Sequence, residues 1–206
     1  MTLAQFPLQI VVFPNEVIPL HIFEPRYRQL ISDCQTEEIA FGITPVIDGQ
    51  RKDIGTKMHL ASVTKKYADG RIDIKAQASS TYLVANFMDV IPEKLYSAAE
   101  VSPRTVIDNR DTAASQNINR LMQELYVIMR IPRKRTPTDF ALHEVVHKIG
   151  FTLEEEYTVL SSEDFLSQQK AVIKQLEKIL PRVREMEEIR KRIELNGDPR
   201  YIIPPK

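Results

Sequence analysis

The sequence predicts an α+β protein in which a small β barrel with one inserted helix precedes a helical bundle ending in a long helix. Two patterns support this prediction. In the first half, apolar residues alternate along short runs separated by Pro, Asn and Gly, which is typical of antiparallel strands. After residue 109 they recur every three or four residues, which is typical of amphipathic helices. We therefore expect one domain with two lobes, residues 1–105 and 106–206.

The composition excludes several classes of protein. Of 206 residues, 43% are hydrophobic, and Lys plus Arg and Asp plus Glu both total 28. Residues 1–105 carry 11 basic and 12 acidic side chains and residues 106–206 carry 17 and 16, so neither half has a large net charge. This balance gives no general attraction to nucleic acid or to acidic membranes, and it permits self-association.

The chain is expected to reside in the cytoplasm and to have no membrane partner. Cys34 is the only cysteine, so no internal disulfide can form. The opening residues MTLAQFPLQIVVFP lack the basic start and the long apolar run of a signal peptide. The apolar runs are also far shorter than the roughly 20 residues that cross a bilayer.

The barrel is predicted to begin with strands at residues 8–13 and 16–23, on either side of a turn at Pro14 and Asn15. Pro19 lacks an N–H group, so the second strand should be an edge strand, a bulged strand or an interrupted one. Pro25 suits the first turn of a helix. Four residues fall on the inward face of that helix: Tyr27, Leu30, Ile31 and Cys34.

Further strands are predicted at residues 39–43, 56–67, 71–78 and 82–90. Asp69-Gly70 between the second and third of these indicates a hairpin, because both residue types tolerate positive φ. Closure of these strands into a partly closed barrel would remove exposed edges. Residues 91–109 show no sustained period, and we interpret them as a segment that crosses between the lobes.

Four helices are predicted in the second lobe. The first has an apolar stripe and ends before Pro132: Ile118, Leu121, Met122, Leu125 and Met129. A loop at residues 132–137 leads to a short helix that ends at Gly150, with one apolar face: Leu142, Val145, Val146 and Ile149. Thr152 and Glu155 predict a capping box for the third helix.

The last helix is predicted to run over about residues 163–195 with a kink at Pro181. Its inward residues are Leu166, Ile173, Leu176, Leu180 and Val183. The distal part, RVREMEEIRKRIEL, is mostly charged and is interpreted as a solvated helix, with docking or self-association as the alternative.

Several stretches together resemble the Lon protease N-terminal substrate-binding domain family: FPLQIVVFPNEVIPLHIFEPRYRQLI, IGTKMHLASV, ADGRIDI, HKIGFTLEEEYTVL and LNGDP. The resemblance covers almost the whole chain, and residues 13–28 are its most specific part. It implies a PUA-like pseudobarrel followed by a helical bundle. In full-length Lon this region captures unfolded or tagged polypeptides for an ATPase and a serine–lysine protease.

The catalytic parts of Lon are not expected in this chain. No glycine begins a GxxxxGK[ST] phosphate loop, and the sequence ends before a protease domain would begin. The chain also departs from the family at residues 77–82, QASSTY, where a Gly and an Arg are common. This departure weakens any binding role that the family would assign to that strand end.

A literal HExxH motif, the pattern of zinc peptidases, occurs at His143, Glu144 and His147. The third-ligand position of the extended motif is Leu153, and the two His point away from the apolar stripe of their predicted helix. We therefore interpret this motif as coincidental. The alternative is a zinc-dependent peptidase that uses these three residues.

Other polar residues give weaker signals. His21 and His59 lie in predicted strands and are interpreted as histidines at the edge of the core. Four basic residues form a cluster suited to RNA phosphates: Arg130, Arg133, Lys134 and Arg135. Because no aromatic residues are interleaved with them, we favour a solvated loop, with an RNA-binding PUA-like module as the alternative.

The function that the sequence predicts is non-catalytic recognition of unfolded or exposed apolar polypeptide segments, without a cofactor or a metal. Delivery of these segments to a separate protease or chaperone is a further expectation. The predicted surface is the groove between the lobes together with the segment at residues 21–28. Glu24, Arg26 and Arg28 are the expected polar contacts.

Overall fold

The computed structural model describes residues 1–131 and 141–196. Eight strands occur in these residues: β1 (Thr2–Gln5), β2 (Val17–Ile22), β3 (Phe41–Ile43), β4 (Val46–Ile47), β5 (Gln50–Arg51), β6 (Ile54–Lys66), β7 (Ile72–Met88) and β8 (Ala98–Pro103). Five helices accompany them: α1 (Pro25–Thr36), α2 (Thr112–Ile128), α3 (Leu142–Val146), α4 (Leu153–Leu160) and α5 (Phe165–Asn196). The predicted α+β class is therefore confirmed.

Six strands form one sheet in the order β2-β7-β6-β3-β1-β8, and β8 also pairs with β7. The length of β7 makes this closure possible. Its first part, to Gln77, pairs with β2, while its last part, from Tyr82 onward, pairs with β8 along the same edge. Strands β7, β6, β3, β1 and β8 thus form a closed ring, and β2 lies outside it as an edge strand. The edge position is one of the three that Pro19 predicted.

The core of the barrel lies between the sheet and α1. Pro25 occupies the first turn of α1, as predicted, and the predicted inward residues of this helix are all buried: Tyr27, Leu30, Ile31 and Cys34. They pack in one cluster with barrel residues such as Phe41, Met58 and Ile74. The helix therefore fills the barrel with its apolar face.

Two expectations about strands, and one about the segment at residues 91–109, were wrong. Residues 8–13 form no strand apart from an isolated bridge at Leu8, and residues 11–13 are all buried. Consecutive burial does not fit a strand with one inward face. Residues 71–78 and 82–90 are not two strands, because β7 runs unbroken through both. The predicted crossing segment contains β8, which pairs with β1 and β7.

A buried polar cluster lies inside the ring. The Thr44 hydroxyl donates to Gln5 Oε1 at 2.7 Å, and the Tyr82 hydroxyl donates to the same oxygen at 3.1 Å. Burial raises the pKa of Tyr82 to about 12, although the hydrogen bonds with Thr44 and Gln5 oppose this. Buried polar groups that are bonded in this way cost little stability and fix the arrangement of the strands.

The helical predictions are largely confirmed within the described residues. In α2 the inward residues are Ile118, Leu121, Met122 and Leu125, whereas Met129 is exposed. At α4 the Thr152 hydroxyl accepts from the Glu155 N–H at 3.2 Å, and Glu155 Oε2 accepts from the Thr152 N–H at 2.8 Å. The predicted capping box is therefore present. Helix α5 continues through Pro181, and the predicted kink at this residue stays a prediction.

The structure divides into two compact units, which we describe separately. One comprises residues 1–107 and 152–163, and the other comprises residues 108–151 and 164–206, the latter including residues outside the described ranges. Arg104 joins the two stretches of the first unit, since its guanidinium donates to three carbonyls at the end of α4: Leu160, Ser161 and Ser162. The expected lobes, residues 1–105 and 106–206, stay a prediction. None of the helices within the described residues is both long and apolar enough to span a membrane.

Candidate functional site

The predicted contact residues lie where β2 leads into α1. Glu24 is the residue before the first turn of α1, and its side chain makes no capping bond to the helix. Its carboxylate instead pairs with Arg26 at 2.7 Å, and the Arg26 guanidinium lies 4.6 Å from the centre of the Tyr27 ring. The Arg26 side chain is 52% exposed, so this ion pair contributes about 0–1 kcal/mol to stability. Both charges are therefore accessible at small cost.

Arg28 reaches the turn of the β6–β7 hairpin. Its Nη1 atom donates to the Asp69 carbonyl at 3.4 Å and lies against Gly70. Gly70 has φ +85°, and a side chain there would meet the guanidinium. The Arg28 Nε atom is buried and has no acceptor within the described residues. Arg28 therefore holds the hairpin against the start of α1.

A hydrogen-bonded group of side chains lies on the outer face of the same hairpin. Asp73 contacts His21 Nδ1 at 2.5 Å and accepts from the Tyr67 hydroxyl at 2.8 Å. The hydrogen bond from His21, followed by that from Tyr67, holds the pKa of Asp73 below its ordinary value. The His21 side chain is 44% exposed. The interpretation of His21 as a histidine at the edge of the core was therefore wrong, and His59 is exposed as well.

Aromatic rings and cations surround this group. The Phe23 ring lies 6.1 Å from the His21 ring and is 61% exposed. The Tyr67 ring meets the His21 ring edge-on at 5.8 Å, and Lys65 and Arg71 lie 4.5 and 5.2 Å from its centre. We call this surface the hairpin rim: His21, Phe23, Glu24, Arg26, Arg28, Lys65, Tyr67, Arg71 and Asp73. It combines an exposed aromatic ring with cations, a combination suited to apolar and acidic side chains.

Sequence reasoning found half of the hairpin rim. It identified residues 21–28 but not Tyr67 and Asp73, which lie on either side of the Ala68-Asp69-Gly70 turn. The available signal was the hairpin itself, since strand alternation places Tyr67 and Asp73 on one face. The approach of His21 depends on the pairing of β2 with β7, with His21 opposite Asp73. No local pattern predicts that register.

The HExxH motif lies at α3, a helix of only five residues. Glu144 Oε2 accepts a hydrogen bond from the Ala141 N–H at 3.1 Å, so this carboxylate caps the start of its own helix. His147 is the exposed residue that ends the helix. Within residues 1–131 and 141–196, no group of three or more His, Cys, Asp or Glu is placed to hold a metal ion. Within these residues, no third metal ligand lies beside His143 and His147.

The basic cluster is only partly described. Arg133, Lys134 and Arg135 lie outside the described residues. Arg130 Nε lies 3.0 Å from Glu187 and its Nη1 atom lies 3.8 Å from Glu194, both in α5. The charge of Arg130 is thus balanced by acidic residues of its own unit.

Comparison with known structures identifies the fold. The Lon N-terminal domain protein from Xanthomonas campestris is similar, with a TM-score of 0.59 and 20% identity over 88% of this chain and 98% of that chain. The N-terminal domain of the Mycobacterium avium complex Lon protease is also similar, with a TM-score of 0.65 and 14% identity over 86% of this chain and 98% of that chain. No curated protein matches in a sequence search.

The family follows from the sequence itself. A family model described as the ATP-dependent protease La (LON) substrate-binding domain matches residues 2–201, which is nearly the whole chain. The large sheet packed against α1 and the long last helix belong to a fold that is similar to that of Lon N-terminal domains. The chain belongs to the LON substrate-binding domain family.

Proposed function

We propose that this protein recognises unfolded polypeptides through exposed apolar segments and catalyses no reaction on them. The observation that carries the proposal is membership of the substrate-binding family over residues 2–201. The hairpin rim supports it, because Phe23 exposes 61% of its surface on a folded domain. Aromatic side chains are enriched at protein interfaces and among the residues that contribute most to binding.

In this proposal the hairpin rim is the contact surface. Phe23 and the Tyr67 ring contact apolar side chains of the bound segment. Glu24 and Arg26 supply polar contacts, since both are accessible and their ion pair with each other is exposed to solvent. Arg28 acts at the same place and also supports the hairpin turn. The bound segment is passed to a separate protease or chaperone in the cytoplasm.

The proposal is tested by fluorescence anisotropy with a reduced, carboxymethylated protein as the labelled probe. We expect binding at tens of micromolar or tighter, whereas the same probe protein in its native folded form should not bind. Absence of binding to the unfolded probe throughout that range contradicts the proposal.

A pair of variants connects the binding to the hairpin rim. Phe23→Ser is expected to weaken binding at least fivefold, because it removes the exposed ring. Val90→Ser is the matched control: Val90 is 88% exposed and lies outside the hairpin rim, so binding should stay within twofold. Equal effects of the two substitutions would exclude the hairpin rim as the contact surface.

A further inference from the structure

Strand β2 has an unpaired edge. In the six-stranded sheet it pairs with β7 alone, and Val17 to Ile22 lie opposite Gln77 to Ile72. The Ala78 N–H donates to the Glu16 carbonyl at 2.8 Å, so this pair of residues is a hydrogen-bonded one. Since such pairs alternate along an antiparallel ladder, residues 18, 20 and 22 bond to β7. The backbone groups of residues 17, 19 and 21 point outward.

The outward groups form a short row of donors and acceptors. Val17 and His21 each present an N–H and a C=O, and Pro19 presents a C=O. Within the described residues, no backbone or side-chain hydrogen bond reaches these groups. A row of donors and acceptors at strand spacing is complementary to another extended backbone. The edge therefore specifies a polypeptide in extended form.

Pro19 selects between two occupants of this edge. Its missing N–H costs nothing in the pairing with β7, because that position points outward. If a second copy of β2 paired with this edge, it would bring a second Pro19 to the new ladder. The ladder would then lack the N–H donors of both prolines. A segment without proline supplies an N–H to the Pro19 carbonyl and leaves only one position incomplete. The edge thus favours a partner segment over a second copy of the chain.

The side chains beside the edge indicate the composition of that segment. Val17 is 52% exposed and Phe23 is 61% exposed, so the outer face next to the edge is apolar. Lys75 lies directly opposite Pro19, and Lys65 lies on the same face of the sheet opposite Asp73, whose carboxylate its charge stabilises. Lys75 forms no ion pair within residues 1–131 and 141–196, so this cation favours an acidic residue in the bound segment.

We propose that the outward edge of β2 binds an extended segment of apolar and acidic residues by strand addition. That the partner is a polypeptide rests on the proposed function. The inference adds the mode of binding, which is a backbone ladder at Val17, Pro19 and His21 with side-chain contacts at Phe23 and Lys75. Strand addition tolerates many client sequences, because the backbone supplies most of the bonds.

The test removes one outward donor without disturbing the fold. Val17→Pro deletes an N–H that takes no part in the pairing with β7, and Val17→Thr retains this N–H in a strand-forming residue. Circular dichroism and thermal unfolding verify that both variants fold. In anisotropy with a labelled peptide of alternating valine and glutamate, we expect Val17→Pro to bind at least fivefold more weakly and Val17→Thr to bind within twofold of the wild type.

A second measurement uses the wild-type protein and so does not depend on any variant. The same peptide with an N-methyl group on every peptide nitrogen offers no N–H donor along either edge, so it cannot form the ladder and its binding should fall at least tenfold. Unchanged binding of the N-methylated peptide, or equal binding by the two Val17 variants, overturns the inference while the proposed function stands. If the wild type binds neither the peptide nor the carboxymethylated protein, the proposed function fails. Retention of single-stranded RNA at the same surface, displacing the peptide, also overturns the inference.

Discussion

Gly55 lies where the barrel accepts no side chain. A Cβ atom there would lie 2.5 Å from Tyr82 Cζ and 2.8 Å from the Ile43 carbonyl oxygen, well inside van der Waals contact. The Tyr82 ring cannot move away, because its hydroxyl is bonded to Thr44 and Gln5 inside the ring of strands. The close packing of strands and the buried polar cluster therefore depend on each other.

The first prediction is that Gly55→Ala destabilises the protein by about 1–3 kcal/mol, the usual cost of overpacking a rigid core. Gly49→Ala is the control, because nothing lies within 4 Å of its Cβ position. Its φ of +76° makes that substitution cost about 1 kcal/mol. Urea unfolding compares the two, and a smaller loss for Gly55→Ala than for Gly49→Ala would contradict this account of the core.

Asp33 links α1 to the segment that precedes β8. Its carboxylate accepts from Lys94 at 2.8 Å and from the Tyr96 hydroxyl at 2.7 Å. Burial alone would raise the pKa of Asp33, but the hydrogen bonds from Lys94 and Tyr96 outweigh burial and lower it. The unfolded state therefore binds more protons in acid, and the stability from Asp33 is lost as pH falls from about 4 through the lowered pKa.

We accordingly expect Asp33→Asn to lower the free energy of unfolding at pH 7 by about 1–2 kcal/mol. The variant should also lose less stability than the wild type when the pH is lowered from about 5 to 3. Glu100→Gln, at an exposed carboxylate on β8, serves as the control and should change stability by less than about 0.5 kcal/mol. If Asp33→Asn and the wild type lose the same free energy of unfolding between about pH 5 and 3, the role of Asp33 is refuted.

At the scale of elements, the start of α4 is fixed by a local sequence signal. The reciprocal bonds between Thr152 and Glu155 satisfy backbone donors that the first turn of a helix leaves unpaired. This matters beyond α4, because residues 152–163 pack in the unit that contains the barrel. Arg104 binds the other end of the helix.

Thr152→Ala is expected to cost about 1 kcal/mol, the usual value for loss of a capping side chain. Thr158→Ala is the matched control in the same helix, since the Thr158 hydroxyl donates to the Glu154 carbonyl one turn earlier and caps no free backbone N–H. It should change stability by less than about 0.5 kcal/mol. If thermal unfolding gives equal losses for the two threonines, the capping box contributes nothing.

The elements that the sequence predicted correctly are those with local causes. Helix α1 follows from Pro25 and its four inward residues, and α4 follows from its capping box. Strands β1 and β8 were missed because their partners are remote: β1 pairs with β3 and β8. Neither β1 nor β8 carries a turn signal next to it. The continuity of β7 through Ser79 and Ser80 likewise depends on a remote partner, since Ser80 pairs with Lys57 of β6.

The candidate site likewise has a part that local sequence predicts and a part that depends on remote strand pairing. Residues 21–28 were identified because their sequence is distinctive. The contact between His21 and Asp73 was not predicted, because it depends on the register of β2 against β7. The free edge of β2 is also a property of the sheet order, although Pro19 gave a local indication of it.

At the scale of the molecule, the unit formed by residues 1–107 and 152–163 carries both the hairpin rim and the edge of β2. The hairpin rim includes His21 of β2, so the two surfaces adjoin and one bound segment can contact both. We therefore assign recognition to a restricted surface of the barrel. Binding should leave α2, in the other unit, unaffected.

Hydrogen–deuterium exchange with and without a saturating amount of carboxymethylated, unfolded protein tests this claim most directly. We expect slower exchange at residues 17–23 and 65–73 in the complex, with no change at residues 112–128. Unchanged exchange at residues 17–23 and 65–73, or slower exchange only at residues 112–128, would contradict it.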